Sequence, residues 1–155
     1  KTGEIKNCSN DADINATYGL IGGVVGTSKW GSVVGSFNSG GVASKDKNVG
    51  GIVGQCQYGD IVDCSNSGSV TGSGYVGGIV GTLEARGSLS RCNNSGISRA
   101  TSNVGGIAGL VCGNITDSYS TGSVYGTDNA SSLVGQSTGG LVQNCYSIGV
   151  LYPLS

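Results

Sequence analysis

Asparagine recurs in this 155-residue chain at Asn10, Asn38, Asn66 and Asn94, each 28 positions after the last, and the series continues as Ser120 and Ser147. Two positions earlier runs a second column, Cys8, Ser36, Cys64, Cys92, Ser118 and Cys145, confined to small side chains ending in sulfur or hydroxyl. Glycines keep the same phase. An opening series stands at Gly3, Gly31, Gly59, Gly87, Gly113 and Gly140, and a closing series at Gly26, Gly54, Gly81, Gly109 and Gly135 with steps of 28, 27, 28 and 26. Self-similarity at a fixed period of this length is the signature of a solenoid, whose repeats bury their apolar faces only by stacking on one another.

Residue type decides which solenoid. Helical repeats require Ala, Leu, Glu and Lys in quantity, and this chain has few of them. It has instead short runs of Val and Ile bounded by Gly, Asn, Ser and Asp, which is strand and turn chemistry. Thirty-one glycines against one proline would otherwise read as low complexity, but clusters such as "VGGIVG" and "LIGGVVG" have no place in a solvated linker. The expected fold is all-β: a parallel β-helix (β-solenoid) of about six coils with a period near 28 residues, spanning 1–155 as one domain. Equivalent residues then stack at about 4.8 Å, and the Asn amides form a structural ladder along the stack. Glycine supplies corners that need positive φ or close backbone approach. The apolar position after the ladder returns as Ile14, Val42, Val70, Val124 and Leu151, whereas the fourth unit carries Ile97 one place early. That offset predicts an irregular fourth turn.

Eight basic against nine acidic residues, scattered along the chain, give no electrostatic footprint for nucleic acid or an anionic membrane. No apolar run is long enough to cross a bilayer, so neither nucleic acid nor membrane insertion is expected among its partners. The chain contains no Met and starts in mid-pattern at Lys1, which reads as a segment of a longer precursor. Histidine is absent, which excludes Ser-His-Asp and Cys-His nucleophilic catalysis and the H-E-x-x-H protease site. The six cysteines show no C-x-x-C spacing for zinc or an iron–sulfur cluster. No cofactor or metal is expected, and no enzymatic activity.

"VGGIVG" at Val49–Gly54 and Val76–Gly81, "NVGGIAG" at Asn103–Gly109 and "SGSVTG" at Ser67–Gly72 resemble the GLUG-motif repeat. That family occurs in bacterial surface and secreted proteins, including adhesin-like chains and immunoglobulin A1 metalloprotease ectodomains. The resemblance implies an extracellular or cell-surface β-helix with no activity of its own. The last coils depart from it, with "SSLVG" at Ser131–Gly135 and the closing "IGVLYPLS".

Three groups of side chains are candidates for more than packing. Trp30, Tyr58 and Arg86 precede the opening glycines at a spacing of 28; exposed, they would form an aromatic strip with a guanidinium at one end, suited to a sugar, the alternative being that they stack on each other as coil-edge packing. Asp63, Arg91 and Asp117 stand just before the Cys/Ser column on successive coils, an arrangement met in β-helix enzymes that cleave acidic polysaccharides, but ordinary as cross-strand ion pairs. The in-register cysteines read as free thiols filling small spaces rather than disulfides, because parallel side chains rarely reach the bridging torsion. Elimination of catalytic chemistry, with what the resemblance implies, points to a structural or adhesive extracellular module, a spacer, stalk or adhesin segment. The alternatives are a self-assembling fibre subunit stacking through open strand edges and, more distantly, a polysaccharide-binding or polysaccharide-cleaving β-helix. Expected partners are other copies or repeats of the same precursor, and host or environmental glycans.

Overall fold

The computed structural model describes residues 3–154; Lys1, Thr2 and Ser155 lie outside the described residues. Its first coil has five short strands, β1 (Glu4–Lys6), β2 (Ser9–Asn10), β3 (Ile14–Ala16), β4 (Ile21–Gly22) and β5 (Val25–Ser28). Each is repeated by the coils that follow, so the chain builds five parallel sheets, three of six strands and two of five. We number the sheets one to five after these strands. There are five full turns and part of a sixth, whose strands Val142–Gln143, Tyr146–Ser147 and Leu151–Pro153 extend the first three sheets. No helix occurs among the described residues. Every strand pairing is parallel and in register with the repeat, so the sequence columns become physical columns.

The asparagine ladder is continuous. Each amide nitrogen donates to the next Oδ1, Asn10 to Asn38 at 2.7 Å, Asn38 to Asn66 at 2.7 Å and Asn66 to Asn94 at 2.8 Å. The amide nitrogens of Asn10, Asn38, Asn66 and Asn94 also donate to the carbonyls two residues along the chain, those of Ala12, Gly40, Gly68 and Gly96. Asn38, Asn66 and Asn94 are fully buried, where an unpaired amide would be costly; the ladder satisfies it. At Ser120 the ladder stops, and that buried hydroxyl has no partner.

This column divides the coil. On one side, Val33, Ile61, Leu89 and Ile115 of sheet one pack against Val53, Val80, Ala108 and their neighbours in sheet five. On the other, Val42, Val70 and Val124 of sheet three pack against Val49, Val76 and Val104 of sheet four. Between the two apolar lobes, the second glycine of each pair lies against the ladder. A Cβ on Gly51 would fall 2.5 Å from Cγ of Asn66, and one on Gly23 2.5 Å from Cγ of Asn38. Close approach at the waist therefore explains the paired glycines.

Positive φ falls mostly elsewhere, correcting the expectation that glycine supplies it. The turn between sheets one and two is left-handed at Asn7, Gly35, Asp63, Arg91, Asp117 and Asn144, with φ between 51° and 58°. A residue after that turn donates its side chain back to the carbonyl two positions earlier, Ser36 to Val34 at 3.1 Å, Cys64 to Val62 at 3.3 Å and Ser118 to Thr116 at 2.8 Å. Cys8, Cys92 and Cys145 do the same. The column is restricted to Cys and Ser because these side chains fasten the turn as well as fill space.

Around Ile97 the fourth coil keeps its register, contrary to expectation. Ser98 pairs with Val70 on one side and Val124 on the other, and Ile97 points outward, 43 % exposed. The reason is that the ladder and its glycine fix the register: Asn94 holds Gly96 through both its amide and its carbonyl oxygen, and Val70 N donates to Ile97 O at 2.7 Å. The chain keeps its hydrogen bonds and accepts a buried Ser98 hydroxyl with no partner. The closing residues likewise stay in pattern, since Leu151, Tyr152 and Pro153 pair with Val124, Tyr125 and Gly126.

Candidate functional site

Coil length varies at only two corners. From sheet one to three, and from four to five, equivalent residues keep constant spacing in every coil. From sheet five to sheet one, Val53 to Ile61 is eight positions, Val80 to Leu89 nine, and Ala108 to Ile115 seven. The other variable corner, sheet three to four, is seven positions from Val42 to Val49 and six from Val70 to Val76. Corners that carry the ladder or the glycine pair cannot change length without breaking contacts; these two carry neither and can.

Trp30, Tyr58 and Arg86 all stand at the corner between sheets five and one. The structure brings them together as a stack: the Trp30 and Tyr58 rings lie 4.1 Å apart at 6°, and the Arg86 guanidinium carbon sits 5.8 Å from the Tyr58 ring centre. Each Tyr58 face is thus occupied by a neighbour, and the stack offers solvent ring edges together with the exposed surface of Trp30. Trp30 is 56 % exposed and Tyr58 40 %. In the fourth coil the longer corner closes as a turn, with Gly87 N donating to Glu84 O at 2.8 Å. It overhangs the third coil and leaves an open cavity of about 460 Å³ lined by Gln57, Tyr58, Glu84, Ala85 and Arg86. The Glu84 carboxylate is held in place by Gln55, whose Nε2 donates to Oε1 at 2.8 Å.

The Asp63, Arg91 and Asp117 column is assembled as expected, but its members are engaged with neighbours. Arg91 Nε donates to Asp63 Oδ1 at 2.7 Å and its Nη2 to Oδ2 at 3.1 Å. Asp117 accepts from the Asn144 amide at 3.0 Å. The Arg91 hydrogen bond and charge hold the Asp63 carboxyl below its ordinary value. All three side chains lie on the left-handed turn, so the column is exposed on an outer corner.

All six cysteines are free. Burial pushes the Cys56 thiol up, and the thiol contact with Cys64 together with burial pushes Cys92 up. Both are protonated at neutral pH. Phe37, Tyr119 and Tyr146 share another column, in which Tyr119 and Tyr146 stack at 5.1 Å. Sequence reading missed a third stack, Tyr125 on Tyr152 at 4.8 Å, with Arg99 over Tyr125 at 4.6 Å. The signal was available: Arg99, Tyr125 and Tyr152 each follow the residue of the Val70 column by one place.

Residues 46–71 match the family model described as the GLUG motif. That segment is a GLUG repeat. It covers one circuit of the coil, from the corner before sheet four through the glycine pair Gly50–Gly51 and the ladder residue Asn66 to Thr71. The coils on either side pair with the GLUG segment strand for strand, so their geometry repeats it. No curated protein and no solved structure matches the chain.

Proposed function

We propose that this chain is a non-catalytic structural module, a spacer or stalk segment of an extracellular or cell-surface protein that makes adhesive contacts along its flank. The observation that carries this reading is the uniformity of the coils. The interior is given over to columns that hold one coil on the next, the Asn ladder, the Cys/Ser fasteners and two apolar lobes. The charged column that a polysaccharide-cleaving enzyme would use is tied up in an ion pair and an amide contact. What varies between coils is the surface at two corners. A repeat module of this design sets distance and presents side chains.

A second reading, self-assembly into a fibre, is favoured by the match between the two end coils. Val142, Cys145, Ser147 and Leu151 occupy the columns of Ile5, Cys8, Asn10 and Ile14, so a second copy stacked end to end would continue both ladder and core. Light scattering across a concentration series, with electron micrographs of the same samples, separates the two. A monomer at all concentrations is expected; filaments of uniform width that lengthen with concentration would replace the spacer reading by the fibre.

A further inference from the structure

We propose that the corner carrying Trp30, Tyr58, Glu84 and Arg86 is a binding site for an uncharged saccharide. Three observations meet at this corner. First, an exposed tryptophan is locked in orientation by its stack on Tyr58, so its conformational entropy is already spent before a ligand arrives. Second, on the far side of Tyr58 from Trp30, polar side chains gather around one cavity, of a size used for small ligands: the Gln57 amide, the Glu84 carboxylate positioned by Gln55, and the Arg86 guanidinium over Tyr58. Third, the cavity exists because the fourth coil has one more residue at this corner than the third, and in repeat proteins such length changes cluster on the face that binds.

The chemistry selects the ligand class. A sugar ring carries an apolar face of C–H groups and a rim of hydroxyls. Trp30 supplies the surface for the first; amide, carboxylate and guanidinium supply donors and acceptors for the second. A purely apolar ligand would desolvate Glu84 and Arg86 without compensating them. An acidic sugar would meet Arg86 but also Glu84, two residues away, and Asp60, two residues beyond Tyr58. The two carboxylates outweigh the one guanidinium, which disfavours an acidic sugar, and an uncharged saccharide fits best. It lies along the corner, across the solvent-facing edges of Trp30 and Tyr58, with hydroxyls reaching Gln57, Glu84 and Arg86. This function adds to the spacer role and does not depend on it.

Trp30 is the single tryptophan of the chain, so its emission reports on this site alone. The whole chain is titrated with cello-, xylo-, manno- and chito-oligosaccharides, with oligogalacturonate as the charged comparator. A saturable change in Trp30 emission with at least one neutral series is expected, weakened about tenfold by Arg86→Ala and by Tyr58→Ala and unchanged by Tyr152→Ala on the other aromatic stack. Glu84→Gln, which keeps the shape of the turn, serves if Tyr58→Ala alters the circular dichroism, and should weaken binding in the same way. No saturable response to any neutral series at millimolar concentration overturns the proposal. So does a response to oligogalacturonate alone, or an affinity that none of the three corner variants moves. The titration is read on monomer and fibre alike, so its failure is separate from failure of the spacer reading.

Discussion

Ser98 is the position where this fold gives most away, and replacing it with valine should make the protein more stable. Its side chain is fully buried between Val70 and Val124 in the smaller apolar lobe, and its hydroxyl has no partner. A buried polar group without a hydrogen bond costs about 1–3 kcal/mol. Valine removes that cost and adds apolar volume worth about 0.8 kcal/mol per buried carbon, against some loss where the fit is tight. The neighbouring coils already hold valine in this column, so the fit is known to be possible. Ser98→Val is therefore expected to gain about 2 kcal/mol, a rise of about 4–8 °C in Tm at this chain length. Guanidinium unfolding followed by far-UV circular dichroism, with calorimetry, measures it. Ser98→Ala isolates the hydroxyl from the added methyls, and Val70→Ser places the same defect one coil earlier and should lose a comparable amount. If Ser98→Val is neutral or destabilising while Val70→Ser is costly, the hydroxyl is satisfied in solution and the reasoning fails.

Asn66→Ala removes a donor to Asn94 and Gly68 and an acceptor from Asn38, leaving buried groups unpaired. A loss of about 3 kcal/mol is expected from the same denaturation assay. Gly51→Ala drives a Cβ into the Asn66 amide and the next coil's backbone; it should destabilise by about 3 kcal/mol or more, whereas alanine at the open position Gly3 should change stability little. The Asp63 carboxyl, lowered by Arg91, contributes stability above its unfolded value near 3.8 that is lost as pH falls through the lower folded value. Thermal melts below about pH 4 should therefore fall more steeply for the wild type than for Asp63→Asn.

Much of this fold was legible because a solenoid translates sequence period directly into contact. The positions of Asn10, Asn38, Asn66 and Asn94 named a column, and the column is a hydrogen-bonded ladder. Trp30, Tyr58 and Arg86 were likewise expected to be neighbours, and they stack. The misreadings have a common origin in judging each residue by its own type. Ile97 looked like a shifted core residue, but register is set by the ladder two to three residues before it, and the backbone overrules one side chain. Glycine was expected to supply positive φ or close approach at corners; close approach holds there as at the waist, but the left-handed turn after sheet one is held by Asn, Asp and Arg, and once by Gly35, with a Cys or Ser fastener following. The cavity beside Tyr58 could not be read from periodicity at all. It comes from Glu84–Gly87, where the period is broken.

The direction of the hydrogen bonds has a mechanical consequence. Strands run across the solenoid, so every bond between coils points along its axis, and a pull on the two ends loads these bonds directly. An end coil can open without disturbing those beyond its neighbour. Resistance to force should therefore appear as a series of small, similar events. Each releases one coil of about 28 residues, a lengthening of up to roughly 95 Å. A surface protein spaced by such coils would yield in steps and could rewind when the load is removed, a shock absorber rather than a rigid bar.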